Sequence, residues 1–138
     1  VKKSQRILIT WITDEPNIYT KISRYITAED FTDDLYRKVA ERLFKDLGEG
    51  TYNPAAIISM FSDQEEQREA AALFNTSLPE LNTKQEKEKA LHDVLYAVKK
   101  NSYEYVTSQL GADMNALNKA IAGKKALEEL AKTHISLD

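Results

Sequence analysis

The chain of 138 residues contains no cysteine. That excludes disulfides, a thiolate nucleophile and a cysteine-ligated zinc site, and it suits a reducing cytoplasm. Three prolines and four glycines are all that interrupt it, too few for a turn-rich, all-β chain. No apolar run approaches the roughly 20 residues that span a bilayer, so no membrane partner is expected. The first residues do not read as a signal peptide. No phosphate loop, dinucleotide glycine pattern or nucleophile elbow is present. Charge of one sign is barely in excess: 19 Lys and Arg stand against 22 Asp and Glu, a net of −3, which gives no global field to attract nucleic acid.

The charge that exists is uneven. Residues 1–81 carry 10 basic and 14 acidic residues, whereas residues 82–138 carry nine and eight. Hydrophobic residues make up 42%, enough to bury a core in one domain, or in one domain with an appendage. The chain starts at Val1 rather than Met, which reads as a fragment of something longer.

Helix periodicity dominates what is there. Ile7 and Leu8 recur as Trp11 and Ile12, the spacing of one helix face over residues 4–14, with Trp11 as a core anchor. Pro16 opens a second helix that buries Ile18, Ile22 and Ile26. An elbow at Thr27–Phe31 follows, in which Phe31 plugs the core and Thr27 or Thr32 caps the next helix. From Asp33 to Leu47 a wide stripe of Leu35, Val39, Leu43 and Leu47, joined by Tyr36, Ala40 and Phe44, predicts a central helix that Gly48 ends. Asn53-Pro54 reads as the start of a short helix. Ser62–Glu65 and Thr83–Glu86 read as capping boxes for two more.

The last of these is the longest, with Leu91, Val94, Leu95 and Val98 on one face. Gly111 and Asp113 stop it and start a final helix with Gly123 as its weak point. The expected fold is all-α: a helical bundle over residues 1–100 and a C-terminal helical hairpin over residues 101–138.

Candidate chemistry is sparse. His92 and His134 are far apart and read as surface histidines, with no second His or Asp at a ligand spacing. Each acidic run (Glu29-Asp30, Asp33-Asp34, Asp63–Glu66) lies at a predicted helix start, where the helix dipole favours negative charge. We therefore expect no catalytic residue and no metal ligand in this fragment. Lys99, Lys100, Lys119, Lys124 and Lys125, interleaved with Tyr96, Tyr103 and Tyr105, could stack on single strands, but neighbouring acids cancel their charge.

More in need of explanation are the apolar residues of the hairpin. Two helices alone cannot bury Tyr103, Leu110, Leu117, Ile121, Leu127 and Leu130 by self-packing, so a partner surface is expected there. Lys124 and Lys125 would flank that contact.

Several segments carry a resemblance. "QRILITWI" at the start, the "EDF" elbow at Glu29–Phe31, "VAERLFKDLGEG" at Val39–Gly50 and "NPAAIISMF" follow one another in order. So do "DQEEQREAAALFN", "EKEKALHDVLYAVKKNSYEY" and the terminal "KKALEELAKTHISLD". Together they resemble the C-terminal, helicase-interaction domain of bacterial replicative DNA primases, of the clostridial type.

The resemblance implies a helical bundle with a terminal hairpin that docks on the hexameric replicative DNA helicase and couples primer synthesis to fork unwinding. It also implies that polymerisation, nucleic-acid binding, zinc and magnesium belong to the parent primase, with no cofactor in this fragment. The N-terminal domain of the replicative helicase shares that fold and is the alternative. It would normally run on into a linker and an ATPase, whereas this chain ends at Asp138 after a tail of terminal type. A generic helical adaptor is the third reading.

Overall fold

The computed structural model describes residues 2–109, 111 and 113–138. Among these, seven α-helices and no strand are found, in agreement with the all-α expectation. They are α1 (Lys2–Asp14), α2 (Tyr19–Ile22), α3 (Asp34–Glu49), α4 (Pro54–Ser59), α5 (Gln64–Asn75), α6 (Lys84–Ser108) and α7 (Met114–Ala131). Two short 3-10 turns, Pro16–Ile18 and Ala28–Asp30, complete the path. Among the described residues no helix is long and apolar enough to cross a membrane.

Short polar side chains start α3 to α7 by accepting from backbone N–H groups that the first turn leaves unpaired. Asp33 accepts from Tyr36 N for α3, Asn53 from Ala55 N and Ala56 N for α4, and Asp113 from Asn115 N for α7. Thr83 Oγ1 accepts from Glu86 N at 3.0 Å for α6. Two expected caps move by a residue or more. Asp63, not Ser62, caps α5, and Asp33, not Thr27 or Thr32, caps α3. An aspartate one step nearer the helix offers a charged acceptor to the same N–H groups, so it takes the place of the hydroxyl.

The end of α3 moves as well. Gly48 lies inside the helix, and Gly50 is the left-handed cap with φ 71°. α7, by contrast, runs through Gly123 without a break.

The core forms where α1 packs against α3, α5 and α6. Leu8, Ile9 and Ile12 of α1, Val39 and Leu43 of α3, and Leu91, Leu95 and Val98 of α6 have no solvent exposure. Each such side chain contributes about 1.5–3 kcal/mol on burial. Phe31, also without exposure, turns its ring edge onto Phe44 at 5.9 Å, and Tyr19 stacks on the same ring at 4.8 Å. Trp11 is 7% exposed, an anchor as expected.

Polar side chains fix the elbow against α6. Asp30 is nearly buried, and its carboxylate accepts from Lys99 Nζ at 3.1 and 3.0 Å, Ser102 Oγ at 2.9 Å and Thr27 N at 2.9 Å. Beside it, the fully buried Gln5 donates to Thr32 Oγ1 at 2.9 Å and accepts from Asp33 N at 3.1 Å. Asn101 donates to the same threonine hydroxyl at 2.9 Å. α6 passes through residue 100 without interruption, so the bundle and the hairpin share one helix. Leu130 and Ile135, far along the expected hairpin, lie in the same buried cluster as Leu91 and Leu95.

The two glycines near the end of α3 should respond oppositely to alanine. At Gly48 an added Cβ meets nothing within 4 Å, so Gly48→Ala should stabilise by about 0.5 kcal/mol. At Gly50 the positive φ opposes any Cβ, so Gly50→Ala should destabilise by about 1 kcal/mol. Urea unfolding of the two variants gives the comparison, and a shared sign would refute this assignment of the cap.

Candidate docking surface

α7 returns antiparallel to α6. His92 meets Leu130, whereas Tyr103, further along α6, meets Gly123, nearer the start of α7. The side chains that make this packing possible recur at helical spacing: Ala120, Gly123, Leu127 and Leu130. Ala120, Leu127 and Leu130 are buried. At Gly123 a Cβ would stand 3.1 Å from Tyr103 Cδ2, so the missing side chain is the space that the tyrosine ring occupies.

The C-terminal residues close this side of the bundle. His92 Nε2 lies 2.8 Å from the Leu130 carbonyl, an acceptor that requires the imidazole proton on Nε2. The same ring stacks on Tyr96 at 6.3 Å. Glu88 is buried at 5% exposure, and its carboxylate accepts from Leu137 N at 2.7 Å and lies 3.2 Å from His134 Nε2. Ile135 is buried beside these contacts at 3% exposure. Lys84 pairs with Asp138, and this hydrogen bond holds the Asp138 carboxyl below its usual range. On the outer face of α6, a hydrogen bond from Lys89 does the same to Asp93.

The outward face of α7 differs. Met114, Leu117 and Ile121 stand three and four residues apart on one line and are 65%, 42% and 60% exposed. Lys124 and Lys125, three and four residues past Ile121, are exposed and straddle the end of that line. Glu128 closes it one turn later. Exposed apolar side chains that stand singly are ordinary, but three in register on one helix face form a patch that suits a partner.

The expected partner-binding residues therefore divide. Leu117, Ile121, Lys124 and Lys125 stand on the outward face. Leu127 and Leu130 do not: both are buried, because α7 folds back along α6 instead of standing away as a two-helix appendage, and Leu130 joins the main core. Tyr103 is half-buried against Gly123 and serves that packing. Leu110 lies outside the described residues. Met114, exposed on the same line, is not among the residues the sequence singles out, although its spacing to Leu117 and Ile121 was the available signal. His92, expected at the surface, is half-buried and holds the end of α7.

Among the described residues no three His, Asp or Glu side chains converge as a metal site. The surface offers apolar area and ammonium groups, which is the chemistry of association. Comparison of the chain with protein-family models, curated proteins and solved structures finds no match in any of the three.

The two faces of α7 predict opposite costs. Leu130→Ala should destabilise by about 2–5 kcal/mol through lost burial and a cavity. Ile121→Ala should change stability by no more than about 0.5 kcal/mol. Thermal or urea unfolding checks both, and a large loss at Ile121 would mean that the outward face is packed.

Proposed function

We propose that this chain is the helicase-docking domain of a bacterial replicative DNA primase, and that the outward face of α7 carries the contact. The supporting observation is the exposed line Met114, Leu117 and Ile121, ended by Lys124 and Lys125. It stands on the terminal helix that the sequence resemblance would make the docking hairpin. In this reading the apolar line lies in a groove of the hexameric helicase's N-terminal ring, as an amphipathic helix in a hydrophobic groove. The lysines steer the approach of an acidic partner surface.

Primer synthesis, nucleic-acid binding and the zinc and magnesium that serve them belong in this reading to the parent enzyme. The domain itself contributes attachment in the cytoplasm. Corrected for Leu127, Leu130 and Tyr103, the contact is narrower than the sequence alone predicted and lies toward the start of α7.

The test is titration of the helicase hexamer into the purified chain. Replacing both Leu117 and Ile121 by Glu puts charge at the centre of the proposed contact. If either position is a hot spot of the contact, which costs about 2 kcal/mol or more when lost, affinity should fall at least ~30-fold. Arg68→Ala, at an exposed ion pair on α5, should leave affinity unchanged. Equal affinity for the double variant and the unaltered chain would refute the proposed contact.

A further inference from the structure

A second apolar surface lies on the opposite side of α6 from α7's contacts. Ile7 and Trp11 of α1, Leu78 and Leu81 of the α5–α6 connection, and Ala90 and Val94 of α6 enclose a cleft of about 450 Å³. Trp11 forms part of the floor, and Ile7, Leu78, Leu81 and Val94 are half-buried around it. The rim is acidic. Asp14, Glu15 and Glu80 border the cleft, and the one lysine there, Lys87, is paired with Glu15 at 3.5 Å.

An apolar floor with an acidic rim calls for an apolar helix face with basic flanks. The outward face of α7 has that chemistry: Met114, Leu117 and Ile121 for the floor, Lys124 and Lys125 for the rim. Among the described residues the other large exposed hydrophobics, Met60 and Tyr105, stand singly on other elements. Within one molecule the two surfaces cannot meet. α7 turns its packed face to α6 and its apolar line away from it, whereas Ala90 and Val94 of α6 form a wall of the cleft.

We infer that the α7 face of one copy of this chain docks in the Trp11 cleft of a second copy. The two patches are different, so the contact is head-to-tail rather than two-fold, and an open assembly keeps one unfilled cleft at one end and one unfilled α7 face at the other. The area is small for a permanent interface, which makes the association weak and concentration-dependent. This inference does not rest on the helicase reading. If that reading also holds, the helicase and a second copy compete for one face of α7.

The test uses the whole chain without any partner. Sedimentation velocity over rising concentration gives the assembly state, and emission from Trp11, the single tryptophan, gives occupancy of the cleft. Ile121→Glu alters the α7 face, and Glu80→Lys with Leu81→Lys alters the cleft. All three positions are exposed or half-buried, and circular dichroism melting verifies that each variant is folded.

The unaltered chain should associate with a shift in Trp11 emission, and each variant alone should associate at least tenfold more weakly. An equal mixture of the two variants should form dimers and stop there, because one intact α7 face meets one intact cleft. Three results would overturn the inference: a monomer at all concentrations up to the millimolar range, loss of association in the α7 variant only, or association with unchanged Trp11 emission. The second would indicate an α7-to-α7 contact.

Discussion

The carboxylate of Asp30 sets the geometry on which the rest of the molecule depends. It sits in the elbow between the N-terminal helices and α3, yet two of its donors, Lys99 and Ser102, belong to α6 some 70 residues later. Gln5 and Asn101 meet on the Thr32 hydroxyl two residues on, so α1, the elbow and α6 are joined by a chain of directional bonds. Hydrophobic contact alone would let α6 slide or rotate against α1 at modest cost. A buried carboxylate does not allow this, because leaving one partner of a buried pair unmatched costs about 3–5 kcal/mol. Register in the bundle is therefore fixed by polar groups inside an apolar core.

That register determines what α7 presents. Since α6 is one continuous helix from Lys84 to Ser108, the placement of Lys99 and Ser102 also sets where Glu88, His92 and Tyr103 lie on its remaining faces. Those three residues receive the C-terminal part of the chain: Leu137 and His134 at Glu88, the Leu130 carbonyl at His92, and Gly123 at Tyr103. The rotation of α7 follows from these contacts. Once Gly123, Leu127 and Leu130 are turned to α6, helical geometry turns Leu117 and Ile121 outward.

Much of the helical scaffold was legible because its signals are local. Asn53-Pro54, Thr83 and Asp113 cap helices with N–H groups two or three residues away, and the stripe along α3 needs only the helical period. The polar core was not legible. Gln5, Asp30 and Glu88 carry side chains that composition assigns to the surface, and their partners lie 27 to 72 residues off. Asp30 in particular reads as an ordinary helix-start acid until α6 is placed beside it. The same blindness to distance produced the error at Leu127 and Leu130. Their spacing announced a buried face, but not whether α6 or a separate molecule covers it.

The two halves of α7 are held unequally. Leu127 is buried, Leu130 and the following Ile135 enter the main core, and both histidines and Glu88 act on that end. The first half has Ala120 and the Tyr103–Gly123 contact as its described anchorage, while Met114, Leu117 and Ile121 face solvent. Local stability follows the density of buried contacts, so the half with the exposed apolar line is the one that can shift without loosening the core. The proposed docking would benefit from this division: the anchored end sets where the helix points, and the lightly held end could adjust to a groove without disturbing the Asp30 and Glu88 contacts that fix the bundle.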